Sequence, residues 1–212
     1  MRENGYPRLP ANAKGTYLRT GLGAIALFTL SWDNTGMNIL GWASLVVLVA
    51  ASSDPKDKLP PVETVKGVDL VRYMGKWFEI AAFPQRFQKG CHCTTAEYEL
   101  TAKSNVQVVN TCRRGGADGK VSRAKGKAWV VPNSGNARLK VQFFWPFKGN
   151  YWIIDLAEDY SYAVVGDPTR KYLWILSRTA RMDAALYAEI AARTAAQGFD
   201  TSRLVTSDQS CF

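Results

Sequence analysis

Hydrophobic and polar residues alternate over much of the chain after residue 70, as expected of β-strands with one buried face. The first such strand is predicted at Gly75–Phe83. Its odd-numbered residues from Trp77 to Phe83 fall on one face, so a core strand is the simplest interpretation. Pro84 ends the strand, because proline has no backbone N–H to donate to a neighbour.

Seven further alternating runs follow at regular spacing, separated by short turns rich in Gly, Pro and Asn. They are predicted at 93–101, 106–113, 121–131, 138–144, 151–156, 161–165 and 172–178. Eight such strands favour an all-β fold, an eight-stranded antiparallel up-and-down barrel, which leaves no exposed sheet edge. A barrel of this size has room for one small ligand.

The period of the pattern changes after the last predicted strand. Asp183 is a favourable N-cap, and Leu186 and Ile190 lie four residues apart on one helical face. Gly198 is placed to end the helix. The sequence therefore predicts one C-terminal α-helix.

The first 66 residues do not share the alternation. Two apolar runs, 21–30 and 39–51, are each shorter than the roughly 18 to 20 residues of a membrane-spanning helix. The second run ends in small residues, as the apolar core of a secretory signal does. We therefore predict a signal or targeting segment at 1–51, a proline-containing linker at 52–66 and the barrel domain at 67–212.

Composition narrows the classes of partner. The formal net charge of +9 suits nucleic acid, an anionic membrane or acidic ligands. No helix-turn-helix, RNP-like or zinc-finger pattern is visible, so nucleic acid is not expected. Aromatic residues make up 12% of the chain, with seven Trp, which favours a cavity or a surface that handles apolar matter.

The cysteines are Cys91, Cys93, Cys112 and Cys211, and they allow three full pairings. An even number is consistent with an oxidising compartment, and a reduced cytosolic set is the alternative. The Cys-His-Cys at 91–93 has the spacing of half a metal site. The chain has one His and no second closely spaced Cys pair, so we expect no metal and no cofactor.

Three motifs carry a resemblance to a known family. They are Tyr73–Ala81 (YMGKWFEIA), Glu158–Ala163 (EDYSYA) and Tyr172–Arg178 (YLWILSR). They stand at the start of the barrel, between its sixth and seventh strands and at its end. In this order they resemble the lipocalins, and within that family the bacterial, outer-membrane type and apolipoprotein D. The likeness covers roughly residues 62 to 212.

The resemblance implies a helix packed outside the barrel and a structural signature at its closed end. The signature residues are Gly75, Trp77, Asp159, Tyr160 and Arg178. Arg178 is expected to lie over the indole of Trp77 and to take no part in ligand chemistry.

A ligand-binding set is also implied. Tyr98 and Asn110 correspond to positions that contact ligand in apolipoprotein D. Trp174 lies four residues before Arg178 and is expected to share its inward face. Trp129 and Phe144 are further candidate walls, and each of these residues could instead be ordinary core.

Strand direction places the odd-numbered loops at the open mouth. Arg113, Arg114, Trp145 and Phe147 are then expected to form a basic, aromatic surface that attracts anionic head groups and sits at a lipid interface. Ordinary solvated loop charges are the alternative interpretation.

The resemblance also implies a cysteine pairing. Apolipoprotein D joins a cysteine of its second strand to one in its tail, which corresponds to Cys93 and Cys211 and leaves Cys91 with Cys112. Chloroplastic lipocalins have a similar Cys-His-Cys. In a third interpretation, Cys112 is a free inward nucleophile, as in the prostaglandin-isomerising lipocalin.

The implied function is to bind and to transport or store a fatty acid, lysophospholipid or similar lipid, for membrane lipid maintenance. The expected location is the periplasm or outer membrane, with a secreted or plastid-lumen protein as the alternative. Ala51 stands where bacterial relatives have a lipidated cysteine, so we expect cleavage there without an anchor. The expected partners are the ligand, an anionic membrane surface and a second copy of the chain. An enzyme of lipocalin fold, isomerase or de-epoxidase-like, is the alternative function.

Overall fold

The computed structural model describes residues 59–102 and 105–212, so the predicted segment 1–51 and the linker up to residue 58 lie outside the described residues. The strands are β1 (Gly75–Ala82), β2 (Cys91–Leu100), β3 (Val106–Arg114), β4 (Lys120–Val130), β5 (Arg138–Phe144), β6 (Phe147–Leu156), β7 (Tyr162–Gly166), β8 (Leu173–Ser177) and β9 (Val205–Thr206). The helices are α1 (Leu70–Tyr73) and α2 (Ala184–Ala196), with short 3₁₀ turns at Arg86–Gln88 and Thr201–Arg203.

The first eight strands form a closed barrel. Each pairs antiparallel with the next, and β1 pairs with both β2 and β8, which closes the sheet. The predicted eight-stranded antiparallel barrel is confirmed. The two-residue strand β9 was not predicted; it lies against the far end of β1.

Both helices begin at an aspartate. Asp183 accepts from the backbone N–H of Ala185 at 2.9 Å and begins α2, as predicted. Gly198 follows the helix at a φ of +83°. Asp69 begins α1 in the same way, and this short helix was not predicted. Within the two described ranges, neither helix is long and apolar enough to cross a bilayer.

Two apolar clusters form on opposite sides of the barrel wall. The inner cluster is centred on Trp77 and the inward residues of β2 to β5. The outer cluster lies between the wall and α2, and Ile190 of α2 is fully buried in it. The implied position of the helix, outside the barrel, is confirmed.

The alternation predicted along β1 is correct only as far as Glu79. A bulge between Glu79 and Ala81 shifts the register, so Ala81 and Phe83 lie in the outer cluster instead of the interior. A bulge adds one residue to one strand, and one residue is enough to exchange the two faces.

The predicted loop at residues 145–150 is also wrong. β6 begins at Phe147, so the turn consists of Trp145 and Pro146 alone, joined by a cis peptide bond. The β5–β6 hairpin is therefore longer and its turn shorter than the sequence indicated.

Candidate ligand cavity and its closed end

The closed end of the barrel is organised around Trp77, which is fully buried. The guanidinium carbon of Arg178 lies 3.8 Å from the centre of its ring, and the indole Nε1 donates to the backbone oxygen of Tyr73 at 2.9 Å. Arg178 also donates to the backbone oxygens of Lys76 and Arg72, at 3.0 and 2.6 Å. One arginine therefore joins the end of β8 to the start of β1.

Gly75 occupies this end because of its backbone conformation. Its φ is +93°, a region that residues with a Cβ rarely adopt. A Cβ there would lie 3.5 Å from Nη1 of Arg178, which is an ordinary contact distance. Space alone would admit a side chain, and the positive φ is what favours glycine.

The turn between β6 and β7 completes the closed end. Asp159 accepts from the backbone N–H of Ser161 at 2.9 Å, and these hydrogen bonds lower the pKa of Asp159. The hydroxyl of Tyr160 accepts from the backbone N–H of Asp69 at 2.8 Å. Arg72 lies over the Tyr160 ring at 4.1 Å. These contacts hold α1 across the base of the barrel.

Three tyrosines form a floor inside the barrel. The hydroxyls of Tyr73 and Tyr151 are 2.7 Å apart, and Tyr151 donates to Tyr98 at 2.9 Å. Burial raises the pKa of Tyr98 to about 12 and raises the pKa of the other two well above their usual value. All three are therefore neutral near pH 7.

Beneath this floor lies a cavity of about 10 Å³, lined by the three rings, Leu70, Met74 and aliphatic side chains of β3 to β5. A cavity of this size has room for about one water molecule. An acyl chain therefore does not fit below the floor in this arrangement.

One inward row above the floor is exposed to solvent. Asn110 of β3 pairs with Ala124 of β4, one inward row above Val108 and Gly126. Ala124 is exposed although it points inward, so solvent reaches the interior through the mouth. Oδ1 of Asn110 is buried and has no hydrogen-bond partner within the described residues. This acceptor is available to a ligand.

A hydrogen-bonded chain crosses the wall near the mouth. Nε2 of Gln88 donates to the carboxyl of Glu79 at 2.6 Å, and Nε1 of Trp174 donates to Oε1 of Gln88 at 3.1 Å. Ser207 of the C-terminal tail donates to the other oxygen of Glu79 at 2.6 Å. Burial raises the pKa of Glu79 despite these two hydrogen bonds. This network of hydrogen bonds joins the loop between β1 and β2, and the C-terminal tail, to the barrel wall at Glu79 and Trp174.

Two predicted pocket residues lie outside the pocket. Trp129 alternates with the inward Ala128 and so faces outward, where Nζ of Lys148 lies 5.2 Å from its ring. Phe144 is 74% exposed, whereas its neighbour Phe143 belongs to the inner cluster. Both predictions were wrong by one residue, because the inward face of each strand was assigned without its pairing register against the neighbouring strands.

The remaining predicted residues fall inside the barrel. Tyr98 belongs to the floor, and Asn110 lies one row above it. Trp174 is half-buried against the inner cluster, on the wall towards the mouth. Sequence reasoning missed Tyr73, Tyr151, Gln88 and Phe143. Counting inward positions from Leu139 would have found Phe143, and no local pattern indicates the tyrosine contacts.

The predicted mouth arginines bind the loops to each other. Arg114 donates to the backbone oxygens of Lys89 and Phe87 at 2.7 and 3.1 Å, and Arg113 donates to Gly119 at 3.4 Å. Trp145 and Phe147 are 87% and 78% exposed at the end of the β5–β6 hairpin.

Both implied disulfides are present. Cys93 is bonded to Cys211 and Cys91 to Cys112, so Cys112 has no free thiol in this structure. The pairs fasten the tail and β3 to the start of β2. Two disulfides are typical of proteins that fold in an oxidising compartment.

Comparison with known proteins agrees with this geometry. The lipocalin-like domain family matches residues 68–209. The chain is 40% identical over 157 residues to temperature-induced lipocalin-1 of Arabidopsis thaliana, covering 70% of this chain and 83% of the relative. It is 38% identical over 169 residues to outer membrane lipoprotein Blc of Escherichia coli K12, covering 79% and 93%. The chain is a lipocalin.

A solved structure supports the fold of this lipocalin. Insecticyanin from the tobacco hornworm Manduca sexta superposes with a TM-score of 0.57 at 22% identity, covering 70% of this chain and 85% of that one. Lipocalins bind small hydrophobic ligands.

Proposed function

We propose that this lipocalin binds one single-chain amphiphile, a fatty acid, a lysophospholipid or a similar lipid, in the upper half of its barrel. The observation that supports this most directly is the inward row of Asn110 and Ala124, where solvent reaches an otherwise apolar interior. Apolar walls with a few polar groups are the usual composition of a site for a hydrophobic ligand.

The polar groups limit the orientation of such a ligand. Its apolar chain would end on the tyrosine floor, and its head would lie near the mouth among basic residues. Oδ1 of Asn110 accepts hydrogen bonds and has none within the described residues. Because a buried acceptor left unpaired is costly, it favours a ligand with a hydroxyl group, or an ordered water, at that height.

We further propose a role in transport or storage for membrane lipid maintenance, in the periplasm or outer membrane, with an anionic membrane surface as the place of exchange. The relative named as an outer membrane lipoprotein and the two disulfides support this location. The plant relative supports the alternative of a secreted or plastid protein.

We propose a binding protein instead of an enzyme. The enzyme alternative needs a free thiol at Cys112, and the bond of Cys112 to Cys91 favours the binding function. A disulfide in this position holds the start of β2 against the end of β3 and leaves no nucleophile there.

Titration with a fluorescent polyene fatty acid tests the binding site, with Trp174→Ala as the variant and Trp129→Ala as the matched control. Removing an inward indole removes apolar contact with the ligand, so Trp174→Ala is expected to weaken binding about tenfold or more. Trp129 faces outward, and its loss is expected to leave affinity within about twofold. Failure to saturate a single site, or equal weakening in both variants, would contradict the proposal.

A further inference from the structure

The chain carries no Asp or Glu from Gly119 to Ile154, a stretch that forms β4, β5 and most of β6. It carries seven cations there: Lys120, Arg123, Lys125, Lys127, Arg138, Lys140 and Lys148. Seven positive charges without a negative one correspond to most of the formal net charge of +9. The positive charge of this lipocalin is therefore concentrated on one side of the barrel.

Strand register places most of these cations on one outer face. The inward residues of β4 include Gly126 and Ala128, so the alternating cations of β4 face outward, and they are exposed. Lys127 pairs with Gln142 of β5, and Lys140 of β5 pairs with Trp129. We call this face the basic wall; it comprises Arg123, Lys125, Lys127, Lys140 and Lys148. Within the described residues, none of the five forms an ion pair.

The basic wall is not covered by the helix. α2 packs against the outer faces of β6, β7 and β8, through Ile154, Val164 and Ile175, and Ile154 follows the last cation of the wall by six residues. Two glutamates of β2, Glu97 and Glu99, lie two strands away from β4 and bound the wall on one side. The wall is thus a limited strip with an acidic edge, and the barrel is not uniformly positive.

An exposed aromatic cluster adjoins the wall. We call it the aromatic tip; it comprises Phe144, Trp145 and Phe147, which are 74%, 87% and 78% exposed. β4 runs away from the mouth and β5 runs towards it. Lys127 pairs with Gln142. Towards the mouth from this pair, β4 continues through Lys125 to Arg123, and β5 continues to the tip. The tip and the wall form one continuous surface.

We propose that the basic wall and the aromatic tip dock this lipocalin, tilted on one side, onto an anionic lipid bilayer. This rests on the proposed function and names the surface through which the mouth meets the membrane. Aromatic rings are favoured at the boundary of head groups and acyl chains, and cations are favoured against lipid phosphates. Other mouth loops carry cations too, but only the stretch from Gly119 to Ile154 adds seven of them without a carboxylate, so the barrel axis tilts towards this side.

Sedimentation with vesicles tests the docking surface. The vesicles contain phosphatidylcholine alone or with phosphatidylglycerol replacing one lipid in three. Lys125→Glu combined with Lys127→Glu is expected to weaken binding to the anionic vesicles about thirtyfold or more. Trp145→Ser combined with Phe147→Ser is expected to abolish the quenching of tryptophan fluorescence by brominated lipid. The matched control, Lys66→Glu combined with Arg181→Glu, changes the net charge equally at the closed end and is expected to bind within about twofold of the wild type.

Three results would overturn the proposal: equal binding of both vesicle types, full binding by the wall variant, or the same loss in the control. A concentration-dependent dimer that the tip variant abolishes, without vesicle binding, would assign the surface to a second copy instead. Titration of each variant with the fluorescent fatty acid separates the two proposals. Wall and tip variants that keep fatty-acid binding but lose vesicle binding support the docking surface. If the protein binds vesicles but no fatty acid, the proposed ligand site in the barrel is contradicted and the docking surface is not.

Discussion

At the scale of single residues, Glu79 is the group on which ionisation would act most directly. It is a buried carboxyl on the wall of the cavity, and it joins a mouth loop to the C-terminal tail through Gln88 and Ser207. Desolvation disfavours its charged form, and the two donors favour that form without fully compensating. The free energy of unfolding depends on pH through this group, because the pKa of Glu79 is raised on folding.

Because the pKa of Glu79 is raised on folding, its neutral form is the one that the fold favours. Its contribution to stability is fully present below its unfolded value near 4.5 and is lost as pH rises through the raised value. Glu79→Gln removes this ionisation and keeps the shape. We expect its free energy of unfolding, relative to the wild type, to increase from about pH 4.5 upwards. Urea unfolding measured over a pH series checks this.

An exposed glutamate on the outer face of β2 provides the control. Glu97→Gln makes the same chemical change at an exposed side chain and controls for the loss of one carboxylate from the net charge. If Glu79→Gln and the wild type show parallel stability curves across that pH range, Glu79 ionises in the folded state without cost and the description of the network is wrong.

At the scale of elements, the C-terminal tail is what closes the barrel wall near the mouth. β1 and β2 pair only as far as Phe78 and Thr95. Beyond them the tail is bound to both strands: β9 pairs with β1, and Nε2 of Gln209 donates to the backbone oxygens of Glu79 and Thr94 at 2.7 and 2.8 Å. The disulfide between Cys93 and Cys211 fixes the end of the tail to β2.

The two disulfides should differ in their effect on stability. Cys93–Cys211 joins residues separated by 118 positions and Cys91–Cys112 by 21, so the first closes the longer loop of the unfolded chain. In the chain-entropy account, the losses are about 5 and about 3 kcal/mol. We expect the double alanine variant of the first pair to unfold at lower urea concentration than that of the second. The reverse order would show that the tail contributes little to the fold.

The elements also show where the sequence was informative. Alternation and turn residues placed all eight long strands and α2, because those signals are local. The position of Trp129, the exposure of Phe144 and the reversal at Ala81 depend on register and on one bulge, which a single chain does not reveal. The tyrosine floor and the contacts of Gln209 join residues far apart in sequence, and no local pattern encodes them.

At the scale of the whole molecule, the barrel is divided into three zones. Trp77 and Arg178 close one end, the tyrosines form a floor above it, and solvent reaches the row of Asn110 and Ala124 from the end where the aromatic tip lies. The sequence indicated the net charge, the aromatic content and a basic, aromatic mouth, but not the row of cations along the outer face of the barrel. The fold concentrates the cations on the outer face of β4 to β6, and it places the open part of the cavity at the same end as the exposed rings.

Native mass spectrometry of the protein purified from its host is the most informative test of lipid binding in the barrel, since ligand, disulfides and oligomeric state are read from one spectrum. We expect a species with both disulfides intact that carries one amphiphile of lipid mass. Mild activation is expected to release that molecule, and an added lysophospholipid to replace it. A spectrum with only ligand-free protein that takes up no added amphiphile, or with free thiols at Cys91 and Cys112, would contradict the account.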